Sequence, residues 1–254
     1  MPVKIFEDFF KATGGLQFIL RSAHVLAGVT WVGLLYFFNF VQVPAFAEME
    51  PGPRSEALRK ITWRALWWFR YAALLTFLFG IAMLGIYASA DLPVKYLEST
   101  AGGSILTGML FGITMFANVW GVIWRAQQVN IGSAERVAQG GEADPAAAVE
   151  AKKGARASRV NTLFSIPMLW YMVFTTHFSG VFANDHRGLN NFAVYMIVVL
   201  VSWAIIEASA LGLIGGIDNA INRLLLDDHK KTIIFGFVYL ALIHFVGWEL
   251  IMKP

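Results

Sequence analysis

The sequence predicts an all-α protein: a polytopic membrane bundle of about six transmembrane helices with both termini outside. Composition is the first observation, because 57% of the 254 residues are hydrophobic, only 15% are charged, and the mean hydropathy is +0.58. A soluble domain is usually less apolar. The second observation is a series of apolar runs of about 20 residues, enough to cross a ~30 Å hydrocarbon layer as helix. Helix is required because lipid offers the backbone no hydrogen-bond partners.

Six apolar runs follow one another along the chain. They cover residues 16–46, 67–89, 104–124, 160–183, 192–216 and 232–252. The first run is long enough to tilt or to extend beyond the bilayer. We therefore interpret the whole chain, 1–254, as a single integral membrane domain. Residues 1–15 place Phe and Ile beside Glu7 and Asp8, which favours a short interfacial segment; a frayed terminus is the alternative.

Residues 127–158 are the most polar stretch of the chain. Asp144 as an N-cap and Pro145 in the first turn predict a short helix that ends near Gly154. We expect a cytoplasmic surface loop containing that helix. It is too short and too polar to form a second domain.

Small residues spaced four apart occur in two of the predicted spans. Gly108 and Gly112 have this spacing in the third span, and Ala208, Gly212 and Gly216 have it in the fifth. Small side chains let helix backbones approach closely in a membrane. The spacing therefore predicts close helix contacts within the bundle.

The distribution of Lys and Arg predicts the orientation. With six spans, one side of the membrane carries six of the 20 basic residues: Lys4, Lys11, Arg21, Lys95, Arg187 and Lys253. The other fourteen lie within 54–70, 125–159 and 223–231. The positive-inside rule places the richer side in the cytoplasm, so both termini face the periplasm of a bacterial inner (plasma) membrane. These basic loops account for the positive charge, and no nucleic-acid partner is required.

The chain contains no cysteine, which limits its cofactor chemistry. Thiolate metal sites, iron–sulfur clusters and covalent attachment of a c-type haem all need cysteine. Any haem must therefore be held non-covalently, as haem b, by side-chain ligation and packing.

Three histidines, His24, His177 and His244, lie on different predicted spans at one predicted depth. His24 lies about eight residues, or ~12 Å, into the first span from the outer side. His177 and His244 lie about six and eight residues before the outer ends of their spans. Imidazole is a good metal ligand and is costly in lipid, so the pattern predicts a metal site, most simply haem iron. The alternative for each histidine is a hydrogen bond to a neighbouring helix.

The residues that follow the histidines favour a flat ligand. Gly28 and Trp31 lie four and seven residues after His24, on the same helical face. A small residue also stands three positions after each of the three histidines. A bare patch followed by an aromatic plane suits a macrocycle lying against the helix. Close helix packing is the competing interpretation.

Three charged residues near the histidines have candidate roles. Arg21 lies one turn outward of His24 and could pair with a haem propionate, or extend towards the interface. Glu249 follows His244 by five residues, and Glu207 lies deeper in the fifth span. Both carboxylates are candidates for a proton path, and a structural hydrogen bond is the alternative for Glu207.

The first span carries a family resemblance. The segment LRSAHVLAGVTWVGLLYFFNFVQ, with its H-x6-W-x-G motif from His24 to Gly33, resembles the membrane domain of the bacterial membrane-bound urate oxidase (urate hydroxylase) family. Similar first helices occur in copper-resistance membrane proteins and in bacterial haem-binding protoporphyrinogen oxidase. The resemblance implies oxidation of urate to 5-hydroxyisourate, with electrons passing to cytochrome c and a terminal oxidase. Family members typically carry a cytochrome c domain after the last span, which is missing from this sequence.

These observations leave three functions open. The first is a membrane haem b oxidoreductase of the urate oxidase type, an enzyme whose electrons leave to a separate periplasmic cytochrome c or respiratory complex. Two histidines would bind the iron, and the third would carry protons or hold a second metal or haem. The second is a non-catalytic haem-carrying electron-transfer or assembly subunit of a respiratory complex. The third is a haemless transporter or channel. The residues alone indicate no substrate, and the partners that we expect are membrane lipid and either cytochrome c or subunits of a respiratory complex.

Overall fold

The computed structural model describes residues 12–89, 100–178 and 189–252, and this part of the chain is helical with short connections and no strand. The all-α prediction is confirmed. Seven helices are named in chain order: α1 (Gly14–Glu48), α2 (Pro51–Ile86), α3 (Ala101–Ala138), α4 (Ala147–His177), α5 (Leu189–Ala210), α6 (Ala220–Leu225) and α7 (His229–Ile251). The interfacial segment predicted for 1–15 falls largely outside the described residues.

Four of the long helices contain π-helical turns. These turns cover Phe37–Gln42 in α1, Leu58–Thr62 in α2, Val119–Ile123 in α3 and Leu242–Met252 at the end of α7. A π-helical turn shifts the faces of the helix on either side of it and is frequent at functional sites. The longest one, in α7, carries His244.

Helices α1, α2, α3, α5 and α7 are long and apolar enough to cross a membrane. Their outer faces expose large apolar side chains, including Leu26 and Leu250, which are 71% and 76% exposed. Contiguous apolar surface of this kind is unfavourable in water and suits contact with lipid. The five helices therefore agree with the prediction of a membrane bundle.

The predicted fourth span, 160–183, overlaps the second half of α4, which is less apolar than the other long helices, and its residues 179–183 lie outside the described part of the chain. Helix α4 lies at the centre and contacts α1, α3, α5 and α7. Asn161, Thr162 and Ser165 are buried within it. Because this helix faces protein rather than lipid, it can carry polar side chains that form hydrogen bonds inside the bundle. The sixth crossing stays a prediction.

Close helix contacts at α4 depend on glycine. A Cβ at Gly236 of α7 would overlap Ile166 Cδ1 and lie 3.1 Å from the carbonyl oxygen of Leu163. A Cβ at Gly108 of α3 would lie 3.2 Å from Met172 Cε. The close contact predicted for the Gly108 step of the third span is therefore confirmed.

The predicted end of the fifth span at residue 216 is wrong. Helix α5 ends at Ala210, and Gly212 and Gly216 adopt positive φ values of +76° and +74°. Glycine reaches this left-handed region without steric cost. The Asn219 side-chain amide donates hydrogen bonds to the carbonyl oxygens of Ser209 and Gly216, which holds the resulting loop. These two glycines build a turn instead of a helix contact.

The predicted cytoplasmic loop at 127–158 is also wrong in its extent. Helix α3 continues to Ala138, and α4 begins at Ala147 and passes Gly154 without a break. A Cβ at Gly154 would lie 2.9 Å from Ala126 Cβ, so the two helices pack closely in this polar region. The N-cap predicted at Asp144 is wrong, because Ala146 is the N-cap of α4, although the Asp144 side chain accepts a hydrogen bond from the Ala146 backbone N–H at 2.9 Å. The stretch is polar because it forms the outward faces of two paired helix ends.

The three basic stretches meet at one end of the bundle. Ion pairs join them to acidic residues of neighbouring elements: Arg59–Glu135 at 3.1 Å, Lys152–Asp218 at 2.7 Å and Arg156–Asp227 at 2.6 Å. The start of α2, the end of α3 and the start of α4 therefore lie together, beside the connection to α7. We call this the basic end of the bundle.

Candidate functional site

His24 lies in the seam between α1 and α2, where its ring is half-buried. Its Nδ1 atom is 2.8 Å from the carbonyl oxygen of Thr76. A carbonyl oxygen can only accept a hydrogen bond, so the Nδ1 atom must carry the proton. In the neutral ring, the Nε2 atom then holds the free lone pair. The backbone of α2 thus fixes the tautomer of His24.

Glycines make room for this contact. A Cβ at Gly80 would lie 3.4 Å from His24 Cε1, so a larger side chain would displace the ring. A Cβ at Gly28 would lie 3.8 Å from the Thr76 methyl group. The patch around Gly28 therefore lies against α2 and serves helix contact. Trp31, one turn further, is 3% exposed, and its indole N–H has no hydrogen-bond partner among the described residues.

His244 lies in the π-helical end of α7 and is 5% exposed. Aromatic rings surround its imidazole. Their centroids lie at 5.3 Å (Trp170), 5.6 Å (Tyr171), 5.0 Å (Phe174), 5.1 Å (Phe245) and 6.2 Å (Trp248) from the imidazole centroid. We call these five rings with His244 the aromatic pocket. The Nδ1 atom of His244 is buried and has no hydrogen-bond partner in the described part of the chain.

Hydroxyl groups extend the aromatic pocket towards α3 and α5. The Tyr195 hydroxyl donates to the Tyr171 hydroxyl at 2.8 Å, and both rings are fully buried. Tyr195 also packs edge-on against Trp248, with centroids 5.1 Å apart. A Cβ at Gly247 would lie 3.7 Å from the Tyr195 ring, so this glycine again serves helix contact.

His177 differs from the other two histidines. It is the last residue of α4 and is exposed. Across residues 12–89, 100–178 and 189–252, no three His, Asp or Glu side chains form a group that could hold one metal ion. The structure thus does not bring His24, His177 and His244 together into one site.

The charged residues near the histidines lie at different depths in the fold. Arg21 is exposed on α1, one turn before His24. Glu249 is half-buried on α7 and interacts electrostatically with the His244 ring. Neither residue is drawn into the core.

Glu207 lies in a separate buried polar cluster. Its side chain is 8% exposed and lies beside Asn118, while its Oε2 atom has no partner among the described residues. The Asn118 amide donates to Asn161 Oδ1 at 2.9 Å. The Asn161 amide in turn donates to the carbonyl oxygen of Met115 at 3.0 Å. A carboxyl group in this setting can hold and release a proton within the bundle.

Several of these partners were not expected from the sequence. The Thr76 carbonyl and Gly80 have no side-chain signature that links them to His24. Asn118 and Asn161 could have been identified, because an amide inside an apolar run usually bonds to another helix. The aromatic pocket draws its rings from α4 and α7, which no spacing within one span reveals.

The fold and these clusters define an all-helical protein with several helices able to cross a membrane and buried ionisable side chains. Residues 90–210 match the family model described as urate oxidase N-terminal. Over this stretch the chain is urate oxidase-like, which confirms the resemblance to that family. Comparison with curated proteins and with solved structures gave no match.

The matched stretch contains only some of the candidate residues. It contains His177, Asn118, Asn161 and Glu207. The first-span motif at His24 and the aromatic pocket residue His244 lie outside it. The family match therefore rests on α3, α4 and α5 and is independent of His24 and His244.

Proposed function

We propose that the protein is an integral membrane haem b oxidoreductase of the urate oxidase type. It operates in a bacterial inner membrane with its basic end in the cytoplasm and both termini in the periplasm. Electrons leave to a separate periplasmic cytochrome c or to a respiratory complex. The family match over 90–210 and the membrane-length helices support this assignment.

The hydrogen bond between His24 Nδ1 and the Thr76 carbonyl oxygen is the observation that carries the proposal. Histidines that bind metals commonly donate their second ring N–H to a carbonyl or carboxylate, which orients the ring and makes the other nitrogen more basic. His24 has this arrangement, with its Nε2 atom available for iron. A haem bound there would supply one-electron exchange.

His244 is the second proposed ligand. A buried imidazole nitrogen without a partner costs about 1–3 kcal/mol, and an iron bond would remove that cost. The aromatic pocket excludes water from the ring, and exclusion of water is one way in which a protein tunes a haem potential. The proposal gives each histidine one iron bond. The ratio of haem to protein decides between one shared iron and two separate irons.

The remaining candidates have supporting roles in this proposal. Arg21, near the outer surface, would pair with a haem propionate, and Trp31 would pack beside the macrocycle. His177 is exposed, so it is the weakest of the three metal ligands predicted from the sequence. Glu207, with Asn118 and Asn161, and Glu249, beside His244, hold protons that accompany electron transfer.

The second candidate function is a non-catalytic haem-carrying subunit of a larger respiratory complex. It is favoured by the absence of cysteine, which excludes a covalent c-type haem within these 254 residues. Both functions need the same haem ligands. They differ in whether the chain itself turns over urate.

The test is a pyridine haemochrome spectrum of the protein purified from haem-replete cells. We expect a b-type spectrum that His24→Ala and His244→Ala each reduce strongly. His177→Ala tests the weakest ligand, and His229→Ala, at the basic end, is the matched control. A colourless wild-type protein, or a spectrum unaffected by both His24→Ala and His244→Ala, overturns the haem assignment.

A second measurement separates the enzyme from the subunit. Urate is added to the purified haem protein together with oxidised cytochrome c, and reduction of the cytochrome is followed. Urate-dependent reduction supports the oxidoreductase. A haem spectrum without urate turnover, together with stable co-purification of a respiratory partner, supports the subunit.

A further inference from the structure

Helices α1 and α2 leave an open groove on the outer surface of the bundle. Its volume is about 560 Å³, and all of its lining residues are apolar or aromatic except Thr30. Three alanines, Ala23, Ala27 and Ala72, keep it open, and Trp68 and Phe79 lie towards its two ends on α2. It lies beside the contact between His24 and Thr76, because Ala27 follows His24 by three residues and the Ala72 carbonyl oxygen accepts a hydrogen bond from the Thr76 hydroxyl.

The length of the groove matches one leaflet of a membrane. Trp68 and Phe79 are eleven residues apart on α2, which corresponds to roughly 16 Å of helix. Half of a ~30 Å hydrocarbon layer is about 15 Å. An acyl chain lying along the groove would therefore remain within a single leaflet.

Positive charge lies at one end of the groove. Arg64 is one turn before Trp68 on α2 and is exposed. Its guanidinium donates to the carbonyl oxygen of Lys60 at 2.8 Å and has no carboxylate partner among the described residues. Between Arg54 and Arg64 the sequence has four basic residues and only one acidic residue. The groove thus opens at the basic end of the bundle.

Two tryptophans separate this charge from the apolar part of the groove. Trp67 and Trp68 are 47% and 61% exposed, and their rings meet edge-on with centroids 5.1 Å apart. Exposed indoles of this kind are typical of the level where lipid headgroups begin. The order along α2 is therefore cation, indole, apolar groove. A phospholipid has the complementary order of phosphate, glycerol and acyl chain.

We propose that the α1–α2 groove is a binding site for an anionic phospholipid. One acyl chain occupies the groove between Ala27 and Leu75, and the phosphate binds Arg64 beside Trp68. A transmembrane helix of a partner or of a second copy would cover the apolar part but would leave the cation unmatched. His24 does not line the groove, so the proposal does not depend on bound haem.

The experiment measures lipid retention by native mass spectrometry of the detergent-purified protein. Phosphatidylglycerol and phosphatidylcholine with identical chains are added in turn. We expect the wild-type protein to retain phosphatidylglycerol about fivefold more strongly, since one basic side chain near anionic lipid contributes ~1 kcal/mol. Arg64→Gln should abolish this preference, whereas Arg54→Gln, outside the groove, should leave it unchanged.

A groove-filling variant tests the apolar half of the site. Ala27→Leu should reduce retention of both lipids, because its side chain occupies the space of the acyl chain. Ala204→Leu, on the exposed face of α5, is the matched control and should not reduce it. Helix content by circular dichroism confirms that both variants fold.

Two results would overturn the proposal. One is equal retention of the two lipids in the wild-type protein, with no response to Arg64→Gln. The other is a loss of oligomer mass in Ala27→Leu without any change in bound lipid, because a second copy would then be the occupant of the groove.

Discussion

His24 and His244 are the same residue type at the same predicted depth, yet their surroundings in the fold differ. His24 lies in a seam between two neighbouring helices, and a backbone carbonyl of α2 fixes its tautomer. His244 lies in a pocket built around the central helix α4, where aromatic rings surround it and its Nδ1 atom has no hydrogen-bond partner among the described residues. The protein orients the His24 ring and encloses the His244 ring.

The two regions would therefore contribute differently to a metal site. The α1–α2 seam supplies orientation, because a backbone hydrogen bond holds one nitrogen and leaves the other available. The aromatic pocket supplies exclusion of water, which strengthens any electrostatic or ligand interaction inside it. The buried Nδ1 atom of His244, which has no hydrogen-bond partner among the described residues, lies in this pocket. The two regions therefore provide complementary parts of the proposed haem chemistry.

The largest expected effect disrupts the orientation of His24. Gly80→Leu should push the ring off the Thr76 carbonyl, because even a Cβ at this position would lie 3.4 Å from His24 Cε1. Losing an orienting hydrogen bond of a metal ligand typically costs about 10–100-fold in metal affinity. We expect haem content, titrated with added hemin, to fall accordingly.

Gly85→Leu is the control for that experiment. It lies on the same helix, and no atom lies within 4 Å of a Cβ built there. If Gly80→Leu binds haem as tightly as Gly85→Leu does, the orienting role of the seam is refuted.

The second prediction concerns the packing that forms the aromatic pocket. Gly236→Ala should destabilise the protein by about 1–3 kcal/mol, because the added methyl group meets Ile166 and the Leu163 backbone. The measurement is the thermal unfolding midpoint in detergent. Gly112→Ala is the control, since its Cβ would lie 3.9 Å from Met168 Cγ, an ordinary contact. Equal midpoints for both variants would contradict close packing of α4 on α7.

The third prediction removes one hydroxyl from beside the pocket. Tyr171→Phe deletes the acceptor of the Tyr195 hydroxyl and should cost about 1 kcal/mol of stability. The comparison is Tyr36→Phe, which deletes the half-buried partner of the Ser165 hydroxyl at 2.8 Å. A smaller loss of stability in Tyr171→Phe than in Tyr36→Phe would show that the fully buried Tyr195–Tyr171 hydrogen bond stabilises the protein less than the half-buried Tyr36–Ser165 hydrogen bond.

The smallest effect is expected at the basic end. The ammonium group of Lys152, 2.7 Å from the Asp218 carboxylate, lowers the pKa of Asp218 below its usual value. The stabilisation is therefore complete above the ordinary pKa of about 3.9 and is lost as the pH falls through the lower folded-state value. Because the pair is exposed, the shift in unfolding midpoint between pH 6 and pH 3 should be small.

Asp218→Asn is the matched variant for the pH experiment. It should lower the midpoint slightly at pH 6, and the difference from the wild-type protein should shrink as the pH falls through the lowered pKa of Asp218. A constant difference between the two proteins at every pH would exclude the ion pair as the cause.

The sequence predicted the helices better than it predicted their ends and contacts. Apolar runs located α1 and α7 closely, because length and hydropathy alone decide whether a helix can cross a membrane. The end of α5 was placed too late, since Gly212 and Gly216 fit a packing motif but adopt left-handed turns. The polar stretch at 127–158 looked like a loop because its buried contact, Gly154 on Ala126, joins residues far apart in sequence.

In the candidate site, too, the sequence predicted positions better than contacts. The positions of His24 and His244 follow from the sequence, and the importance of small residues around them was predicted as well. The sequence left two interpretations of these residues, a macrocycle or close helix packing, and Gly28 and Gly247 lie against Thr76 and Tyr195 in helix contacts. Helix spacing shows which residues share a face, but it does not show what the next helix places against that face.

Hydropathy alone was enough to predict that the described chain is helical and that its outer faces are apolar, because backbone groups without water must bond within a helix and exposed leucines favour contact with lipid. The sequence also showed which side chains are of a type that can bind a metal. Only the packing of the helices showed what surrounds each of these side chains. The Thr76 carbonyl reaches His24 across 52 residues, and the rings of α4 reach His244 from another helix. Such contacts depend on how separate helices pack, and no local pattern encodes them.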